Sequence, residues 1–501
     1  MAIFDSVIYG FSVSLAPPNL LACFIGVLLG TLIGVLPGLG PVAAISLLLP
    51  LTFKMSPVAS IVMLAGIYYG AQYGGSTTSI LVNIPGEATS VVTCLDGYQM
   101  ARQGRAGPAL GIAAFGSFIA GTLSVVGVML LAPVMVVWAV KLDAPDYSGL
   151  FILGLTLVTY LASKSKIKAV AMAIVGLLLS TIGFDPMAGT PRFDFGSLHL
   201  LNGIELPPLA MGLFGIGEVL INIEKLEQRQ VFKAKLKNLL PSRKDWRDSL
   251  FPIGRGTLLG FFLGIFPGVG AIIPTFLSYT LEKRISKTPE QFGKGMIQGV
   301  AGPESANNAA SGATLIPMLS LGIPPNVNMA LLMGALMIHG VMPGPLLAQE
   351  HPEIFWGVIT SMYTGNIMLL VLNLPLIPLW VRILRIPYYL LFPAIFLFCI
   401  IGIYSVNNSY MDVVIMGIFG VVGYLMRKYE YEPAPLVLAF VLGDKLEEAI
   451  RQTLIYSRGN LSIFIQRPMS AIFLMMALAL VLSSLLPSVL RGKKKDSLDV
   501  S

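Results

Sequence analysis

Two polar segments in an otherwise apolar chain hold the side chains best suited to chemistry. The first is residues 73–89, with the sequence YGGSTTSILVNIPGEAT. The second is residues 303–328, which begin with PESANNAASGAT. Each combines hydroxyl and amide groups with an acid, Glu87 in the first and Glu304 in the second. Neutral oxygens of this kind suit a hard cation such as Na⁺, by extension of the preferences of Mg²⁺ and Ca²⁺. The N–H and O–H groups suit the oxygens of a carboxylate substrate.

Eight neutral side chains are therefore candidates for contact with a substrate or an ion. They are Ser76, Thr77, Thr78 and Asn83 in the first segment and Asn307, Asn308, Ser311 and Thr314 in the second. Ser, Thr and Asn also pack helices in membrane bundles, and this alternative stays open for each of them. An acid at membrane depth is by default a candidate proton or cation partner, although Glu87 and Glu304 could instead cap wet helix ends.

A Gly-Pro break interrupts an apolar run in each half of the chain. The first break is residues 34–41, GVLPGLGP, and the second is residues 264–271, GIFPGVGA. Similar flanks precede them, GTLIG at 30–34 and GTLLG at 256–260. Proline removes a backbone donor and glycine tolerates non-helical dihedrals, so each helix should be interrupted there.

Broken helices within a membrane occur where the backbone is buried in protein or lines a wet cavity, which in transporters is where substrate and ions bind. The alternative is a kink that only packs. Matched breaks in two halves favour the binding interpretation. Four glycines are accordingly predicted to allow close backbone approach, with freed carbonyls available to Na⁺: Gly38, Gly40, Gly268 and Gly270.

The composition is that of an integral membrane protein. Of 501 residues, 55% are hydrophobic and only 12% are charged. Apolar segments long enough for a ~30 Å hydrocarbon core recur about a dozen times. The sequence thus predicts an all-α integral membrane protein of about 12 transmembrane helices, with broken or re-entrant helices among them.

Several classes of function are disfavoured. The three cysteines and three histidines show no metal-ligand spacing, so no metal site of that kind is predicted. The sequence shows no Ser/His/Asp grouping of the kind that would indicate an intramembrane enzyme. No phosphate-binding loop is present, so the energy for transport would come from an ion gradient or a partner and no cofactor is expected. The net charge of +7 indicates membrane topology and not a nucleic-acid partner.

Matched residues in similar local sequences predict that the chain consists of two homologous halves. The difference in residue number between matched residues ranges from 226 (Gly30 to Gly256) to 242 (Pro133 to Pro375). The predicted organisation is a first repeat, a basic cytoplasmic linker, a second repeat, a connecting segment with a C-terminal transmembrane helix, and a basic cytoplasmic tail. Their predicted bounds are 20–222, 223–252, 253–444, 445–490 and 491–501.

The charges of the loops predict that the two repeats are inverted. Loops 102–105 and 164–168 of the first half are basic, whereas their counterparts in the second half contain no Lys or Arg. Since cytoplasmic loops are enriched in Lys and Arg, matched loops should face opposite sides of the membrane. The four basic residues of loop 282–294 lie inside only if segment 256–281 turns back, which predicts a re-entrant hairpin.

These motifs resemble a known family, the large membrane subunit of the tripartite tricarboxylate transporters (TctA type). The resemblance rests on the break at 34–41, on GGSTTSILVNIPGEA within 68–89, on the DGYQMA step at 96–101 and on GPESANNAASGA within 302–325. It covers nearly the whole chain. It implies a permease of the bacterial inner membrane that imports a carboxylate by symport with Na⁺ or H⁺.

The resemblance also implies two partners. One is a small membrane subunit of the TctB type, and the other is a periplasmic substrate-binding protein of the TctC type. A passive anion channel and an intramembrane enzyme are the alternative functions. The residues leave open which carboxylate is carried and whether Na⁺ or H⁺ is the coupling ion.

Overall fold

The computed structural model describes residues 3–36, 40–160, 165–185, 187–224, 239–383 and 388–495, and nearly all of its regular structure is helical. The helices up to the basic linker are α1 (Ile3–Ser14), α2 (Pro17–Val35), α3 (Pro41–Leu48), α4 (Pro57–Val82), α5 (Val91–Arg102), α6 (Ala106–Ala139), α7 (Ala144–Tyr160), α8 (Lys166–Ser180), α9 (Leu206–Ala210) and α10 (Gly217–Glu224). A π-helical segment, Met211–Ile216, joins α9 to α10.

The helices after the linker are α11 (Arg243–Gly264), α12 (Ile272–Ile285), α13 (Gln298–Ala313), α14 (Leu315–Leu321), α15 (Val327–Ile338), α16 (Leu347–Glu350), α17 (Pro352–Ile383), α18 (Tyr388–Asn407), α19 (Tyr410–Lys428), α20 (Pro433–Tyr456), α21 (Ile463–Gln466) and α22 (Pro468–Lys495). Short 3₁₀ turns occupy Leu49–Thr52, Ala88–Ser90, Leu198–Asn202 and Pro289–Gln291. Strands β1 (Gly183–Phe184) and β2 (Pro191–Arg192) form one antiparallel pair, with Gly183 opposite Arg192.

The chain forms two compact units. The first comprises residues 1–137 and 205–428, and the second comprises residues 138–204 and 429–501. Both Gly-Pro breaks and both polar segments belong to the first unit. The predicted repeat boundaries at 20–222 and 253–444 stay a prediction. Helix α11 begins at Arg243, before the predicted start of the second repeat.

The described residues include five helices long and apolar enough to cross a membrane: Pro17–Val35, Ala106–Ala139, Leu206–Glu224, Pro352–Trp380 and Tyr410–Lys428. Four shorter apolar helices accompany them. Large apolar side chains on their surfaces are exposed, as expected of residues that face lipid. A multi-pass, all-α membrane protein is thus supported, whereas the count of about 12 crossings stays a prediction.

Helices α4 and α13, which carry most of the two polar segments, lie in the protein interior. Every residue from Val58 to Val82 of α4 is buried, and so is every residue from Gly299 to Ala313 of α13. Local signals set the ends of α4. The Ser56 side chain caps its first turn by accepting from the backbone N–H of Ala59 at 3.3 Å. Asn83, in a left-handed conformation with φ 59°, ends it.

Helix α2 packs against α4 in parallel and at backbone distance. The three glycines of α2, at positions 26, 30 and 34, meet the carbonyls of Met63, Ile67 and Ala71 in the same order, and a Cβ at any of them would overlap these atoms. Glycines at positions 66 and 70 of α4 lie in turn against the backbone of α2. A Cβ at Gly70 would lie 2.6 Å from the Val27 carbonyl oxygen. Small residues thus let the two backbones touch.

Helix α11 packs against α13 in the same way. Its glycines at positions 256, 260 and 264 face residues 302, 306 and 310 of α13 in order, so this pair is parallel too. Gly34 and Gly264 each precede a break glycine by four residues and hold equivalent positions in the two pairs. The GTL flanks noted above are therefore one helical turn out of register between the pairs.

Both predicted helix interruptions occur. Helix α2 ends at Val35 and α3 begins at Pro41, while residues 37–39, which include Gly38, lie outside the described residues. Helix α11 ends at Gly264 and α12 begins at Ile272. Helix α12 turns back along α11, and Nε and Nη2 of Arg255 in α11 donate to the two carboxylate oxygens of Glu282 in α12, at 2.8 and 2.6 Å. That this hairpin is re-entrant in the membrane stays a prediction.

Within the first unit, the segment 206–224 packs in parallel on α19. Cβ atoms at Gly212 and Gly217 would contact Met416 and Gly423, respectively. Arg427 of α19 forms an ion pair with Glu218 at 2.7 Å.

Within the second unit, α8 packs in parallel on α20. A Cβ at Gly176 would overlap the Leu436 carbonyl, and a Cβ at Gly443 would overlap Ser180. Parallel, glycine-mediated contacts of the same type thus involve both the segment 206–224 and α20.

The backbone contact between α11 and α13 generates a stability prediction. Gly260→Ala adds one methyl group that would overlap the Ala306 carbonyl. The helices must separate to relieve this overlap, at a cost of about 1–3 kcal/mol. Thermal unfolding of the purified protein in detergent should show a lowered midpoint.

The matched control is Gly254→Ala on the same helix, where a Cβ has no heavy atom within 4 Å. Alanine favours helix over glycine, so this control should unfold at the same temperature or higher. An unchanged midpoint in Gly260→Ala would contradict the packing described here.

Candidate functional site

The candidate site lies where α4 crosses α13 inside the first unit. Gln72 of α4 lies beside Asn307 and Ser311, and Ser76, one turn further along α4, bonds Glu304. Since numbers rise along α4 as they fall along α13, the two helices run in opposite directions. The pair α2–α4 is therefore antiparallel to the pair α11–α13. Both polar segments of the sequence thus contribute to one site.

Glu304 is held by two hydroxyl groups. Ser76 Oγ donates to its Oε2 at 2.6 Å, and Thr93 Oγ1 donates to its Oε1. The residue is 1% exposed. Thr93 belongs to α5, so three helices meet at this carboxyl group.

Glu87 lies close by, in the turn between α4 and α5. It holds the N-cap position of the 3₁₀ turn that follows it, and its backbone N–H donates to Ser90 Oγ at 3.3 Å. Its side chain accepts from Thr89 Oγ1 and from Asn307 Nδ2, the latter at 3.3 Å. The Gln72 amide, oriented so that its neighbours are satisfied, donates to the same carboxyl group. Glu87 thus occupies a cap position, but a buried one, with 7% exposure, and not a wet helix end.

Neither carboxyl group has a cationic partner among the described residues. The ion pairs of this part of the chain involve other acids, such as Asp245, Glu282 and Glu218. A buried carboxylate without a compensating charge is costly, so such a group takes up a proton or binds a cation. The chemistry available at this site is therefore reversible binding of positive charge.

Asp96 positions the elements that carry the two acids. It is 0% exposed and lies on α5, one turn after Thr93. Its Oδ1 accepts from the backbone N–H groups of Gly293, Gly295 and Met296 at 2.9, 2.8 and 2.7 Å. Tyr279 of α12 donates its hydroxyl to Oδ2 at 2.9 Å. One carboxylate thus ties α5 to α12 and to the loop that leads into α13.

Each break contacts a later part of the polar segment of its own half. A Cβ at Gly86 would lie 2.5 Å from the Gly34 carbonyl oxygen, next to the first break. At the second break, Gly268 has φ 83° and donates its N–H to the Pro325 carbonyl at 2.8 Å. Cβ positions at Gly40 and Gly270 have open space around them, within 4 Å.

The structure brings together some of the predicted residues and separates others. Ser76, Glu87, Glu304 and Asn307 share one network, and Asn308 extends it by donating to Ser117 Oγ at 2.7 Å. The hydroxyls of Thr77, Thr78, Ser311 and Thr314 donate to backbone carbonyls. Asn83 is exposed at the end of α4.

Sequence reasoning missed Gln72, Thr89, Thr93 and Ser117. Gln72 and Ser76 are four residues apart, so helical spacing could have placed both on one face of α4. Thr89 lies within the first polar segment but was not singled out there. Thr93 and Ser117 belong to other helices, and no local pattern links them to Glu304.

Asp96→Asn should destabilise the protein. An asparagine amide would turn an N–H₂ group toward at least one of the N–H or O–H donors that Asp96 now accepts. Loss of a charge-assisted hydrogen bond costs about 1.5–3 kcal/mol, so the thermal midpoint should fall. Glu290→Gln, an isosteric change at an exposed acid near the same loop, is the control and should leave the midpoint unchanged. Equal midpoints in both variants would remove the structural role assigned to Asp96.

Comparisons with known proteins give a consistent identity. The profile of the Tripartite tricarboxylate transporter TctA family matches residues 20–438. An Agrobacterium vitis protein described as "Uncharacterized 52.8 kDa protein in TAR-I ttuC' 3'region" is 50% identical over 494 residues, which is 99% of this chain and 98% of the relative. A second from the same organism, "Uncharacterized protein in TAR-II ttuC' 3'region", is 50% identical over 235 residues, covering 47% of this chain and 97% of the relative. No solved structure matches. The chain belongs to the tripartite tricarboxylate transporter TctA family.

Proposed function

We propose that this protein is the permease subunit of a binding-protein-dependent secondary transporter in the bacterial inner membrane. It imports a small carboxylate, such as a tricarboxylate, with the energy of a Na⁺ or H⁺ gradient. Its partners are a small membrane subunit and a periplasmic binding protein. The observation that carries the proposal is the pair of buried acids, Glu87 and Glu304, without a cationic partner among the described residues at the crossing of α4 and α13.

The antiparallel crossing supports the idea of inverted repeats. Two parallel pairs, α2–α4 and α11–α13, have the same glycine packing, each contains a break, and they run in opposite directions. This is the arrangement expected when an axis in the membrane plane relates two halves. Alternating access then follows from movement of one half against the other around a site that both contribute to.

Substrate and coupling ion occupy different parts of this centre. Two ionised carboxylates would repel an anionic substrate, so the acids serve the cation. The substrate carboxylate binds at the breaks, where the first turn of α3 follows Gly40 and presents backbone N–H groups. The open space around Gly40 and Gly270 leaves room for a ligand there. Binding of the cation lowers the negative potential that the anion meets, which couples the two.

Uptake by the reconstituted system tests the proposal. The chain is placed in liposomes with its small membrane subunit, and accumulation of labelled citrate and of labelled dicarboxylates is measured under an inward Na⁺ or H⁺ gradient. Accumulation should require both a gradient and the cognate binding protein. Glu304→Gln, which keeps the shape of the side chain, should reduce accumulation by roughly tenfold or more.

Glu353→Gln at the start of α17, a half-exposed acid remote from the breaks in sequence, is the matched control and should transport normally. Gradient-driven accumulation without the binding protein would contradict the hypothesis of a three-component transporter. Equilibration without any gradient would reject secondary transport and favour a passive anion channel. Full accumulation by Glu304→Gln would reject the assignment of that acid.

A further inference from the structure

We infer that a small cavity between α4, α6 and α17 is a Na⁺ site, and that Na⁺ is the coupling ion. The inference rests on the proposed function, because it names the ion of the same centre. It moves the cation from the Gly-Pro breaks, where the sequence alone suggested it, to a pocket beside Glu304. All of its residues belong to the first compact unit.

The cavity is lined by oxygen-bearing side chains from three helices. Its volume is about 10 Å³, room for one particle the size of a water molecule. The oxygen-bearing side chains are Tyr73, Ser76 and Thr77 of α4, Ser117 of α6 and Asn373 of α17. Apolar side chains complete the wall, among them Leu110 and Ile377. Tyr73, Ser76 and Thr77 follow the i, i+3, i+4 spacing that places side chains on one face of a helix.

Two of these oxygens are buried without a hydrogen-bond partner among the described residues. They are the Tyr73 hydroxyl and Asn373 Oδ1, on side chains that are each 3% exposed. The amide nitrogen of Asn373 donates to the Leu369 carbonyl at 3.1 Å, which fixes the amide and leaves its oxygen as the unused group. A buried polar atom without a partner is costly, so these two oxygens indicate an occupant of the cavity. The lone pairs of both are groups that a cation would coordinate.

The hydrogen bonds of two neighbouring side chains leave further oxygen lone pairs unused beside the cavity. Ser76 donates its proton to Glu304 Oε2 at 2.6 Å. Ser117 Oγ accepts from Asn308 Nδ2 at 2.7 Å, and its second lone pair stays available. Hydroxyl and amide oxygens, with no soft ligand among them, are the donor set of a hard cation.

Glu304 supplies the opposite charge without entering the cavity. It is linked to the ligand Ser76 by one hydrogen bond, and no Lys or Arg lines the cavity. A single negative charge fits a monovalent ion better than a divalent one. Mg²⁺ also keeps several of its waters, for which a space of about 10 Å³ is too small. A proton on Glu304 would leave the Tyr73 and Asn373 oxygens without a partner.

Direct binding of Na⁺ tests the inference without any need for transport. The full-length protein, purified with its small membrane subunit, is titrated with ²²Na⁺ in choline buffer, and K⁺ and Li⁺ are tried as competitors. Asn373→Ala and Ser117→Ala should each weaken Na⁺ binding by about tenfold or more. Asn373→Asp keeps an oxygen at the same place and should retain binding.

Two controls separate loss of ligands from loss of structure. Ser124→Ala lies two turns from Ser117 on α6, and Asn366→Ala lies two turns from Asn373 on α17; both positions are buried but do not line the cavity. Each should bind Na⁺ like the unmodified protein. Na⁺ should also raise the unfolding temperature of the unmodified protein and of the controls, but not that of Asn373→Ala.

The outcomes distinguish this inference from the proposed function. Na⁺ binding that needs Asn373 supports the site even if no carboxylate is transported. Proton-driven uptake in a protein that does not bind Na⁺ overturns the inference and leaves the proposed function intact. Unchanged Na⁺ affinity in Asn373→Ala and Ser117→Ala, or a cavity that holds water only, overturns the inference as well.

Discussion

Close packing of backbone on backbone, between α2 and α4 and between α11 and α13, is the contact on which the rest of the structure depends. Helices α4 and α13 carry the hydroxyl and amide groups of the two polar segments and Glu304, so neighbouring helices must shield these groups from lipid. Gly30 of α2 and Gly260 of α11 allow these helices to approach α4 and α13, respectively, until the backbones are in contact. The polar faces of α4 and α13 are then left to face each other. The buried acids follow from this arrangement.

The burial of Glu87 and Glu304, without a cationic partner among the described residues, favours the binding of a cation. Both accept hydrogen bonds from neutral groups, which orient a carboxylate without neutralising it. An ion that enters beside Ser76 would relieve the cost of burying that charge and would pull on three helices at once. Since α4 and α17 belong to opposite predicted repeats, occupancy of one small site would bias the relative position of both. This is how a local electrostatic event could drive a change of access.

Local signals in the sequence predicted much of the fold. Proline and glycine at the two breaks act on their own residues, and loop charges respond to topology, so the interruptions and the α11–α12 hairpin could be inferred. The register between the glycine flanks could not, because a four-residue shift leaves a Gly-x-x-x-Gly pattern looking the same.

The composition of the site could be predicted only in part. Polar clusters indicated Ser76, Glu304 and Asn307, but the bond from Ser76 to Glu304 joins residues 228 positions apart. Likewise, Asn373 lies in an apolar helix where nothing in its neighbours indicates a ligand. Thr78 shows the opposite case, because its hydroxyl bonds the Val35 carbonyl at 2.8 Å and so caps the end of α2. Tertiary contacts decide such cases.

The central claim is that the two glycine-packed helix pairs enter the membrane from opposite sides. Leu15 and Leu240 are exposed and precede α2 and α11, respectively. In a protein whose native cysteines at positions 23, 94 and 399 are replaced, Leu15→Cys and Leu240→Cys are each treated with an impermeant maleimide on intact spheroplasts. Leu15→Cys should react at once, and Leu240→Cys should react only after the membrane is permeabilised. Reaction of both from the same side would contradict the account.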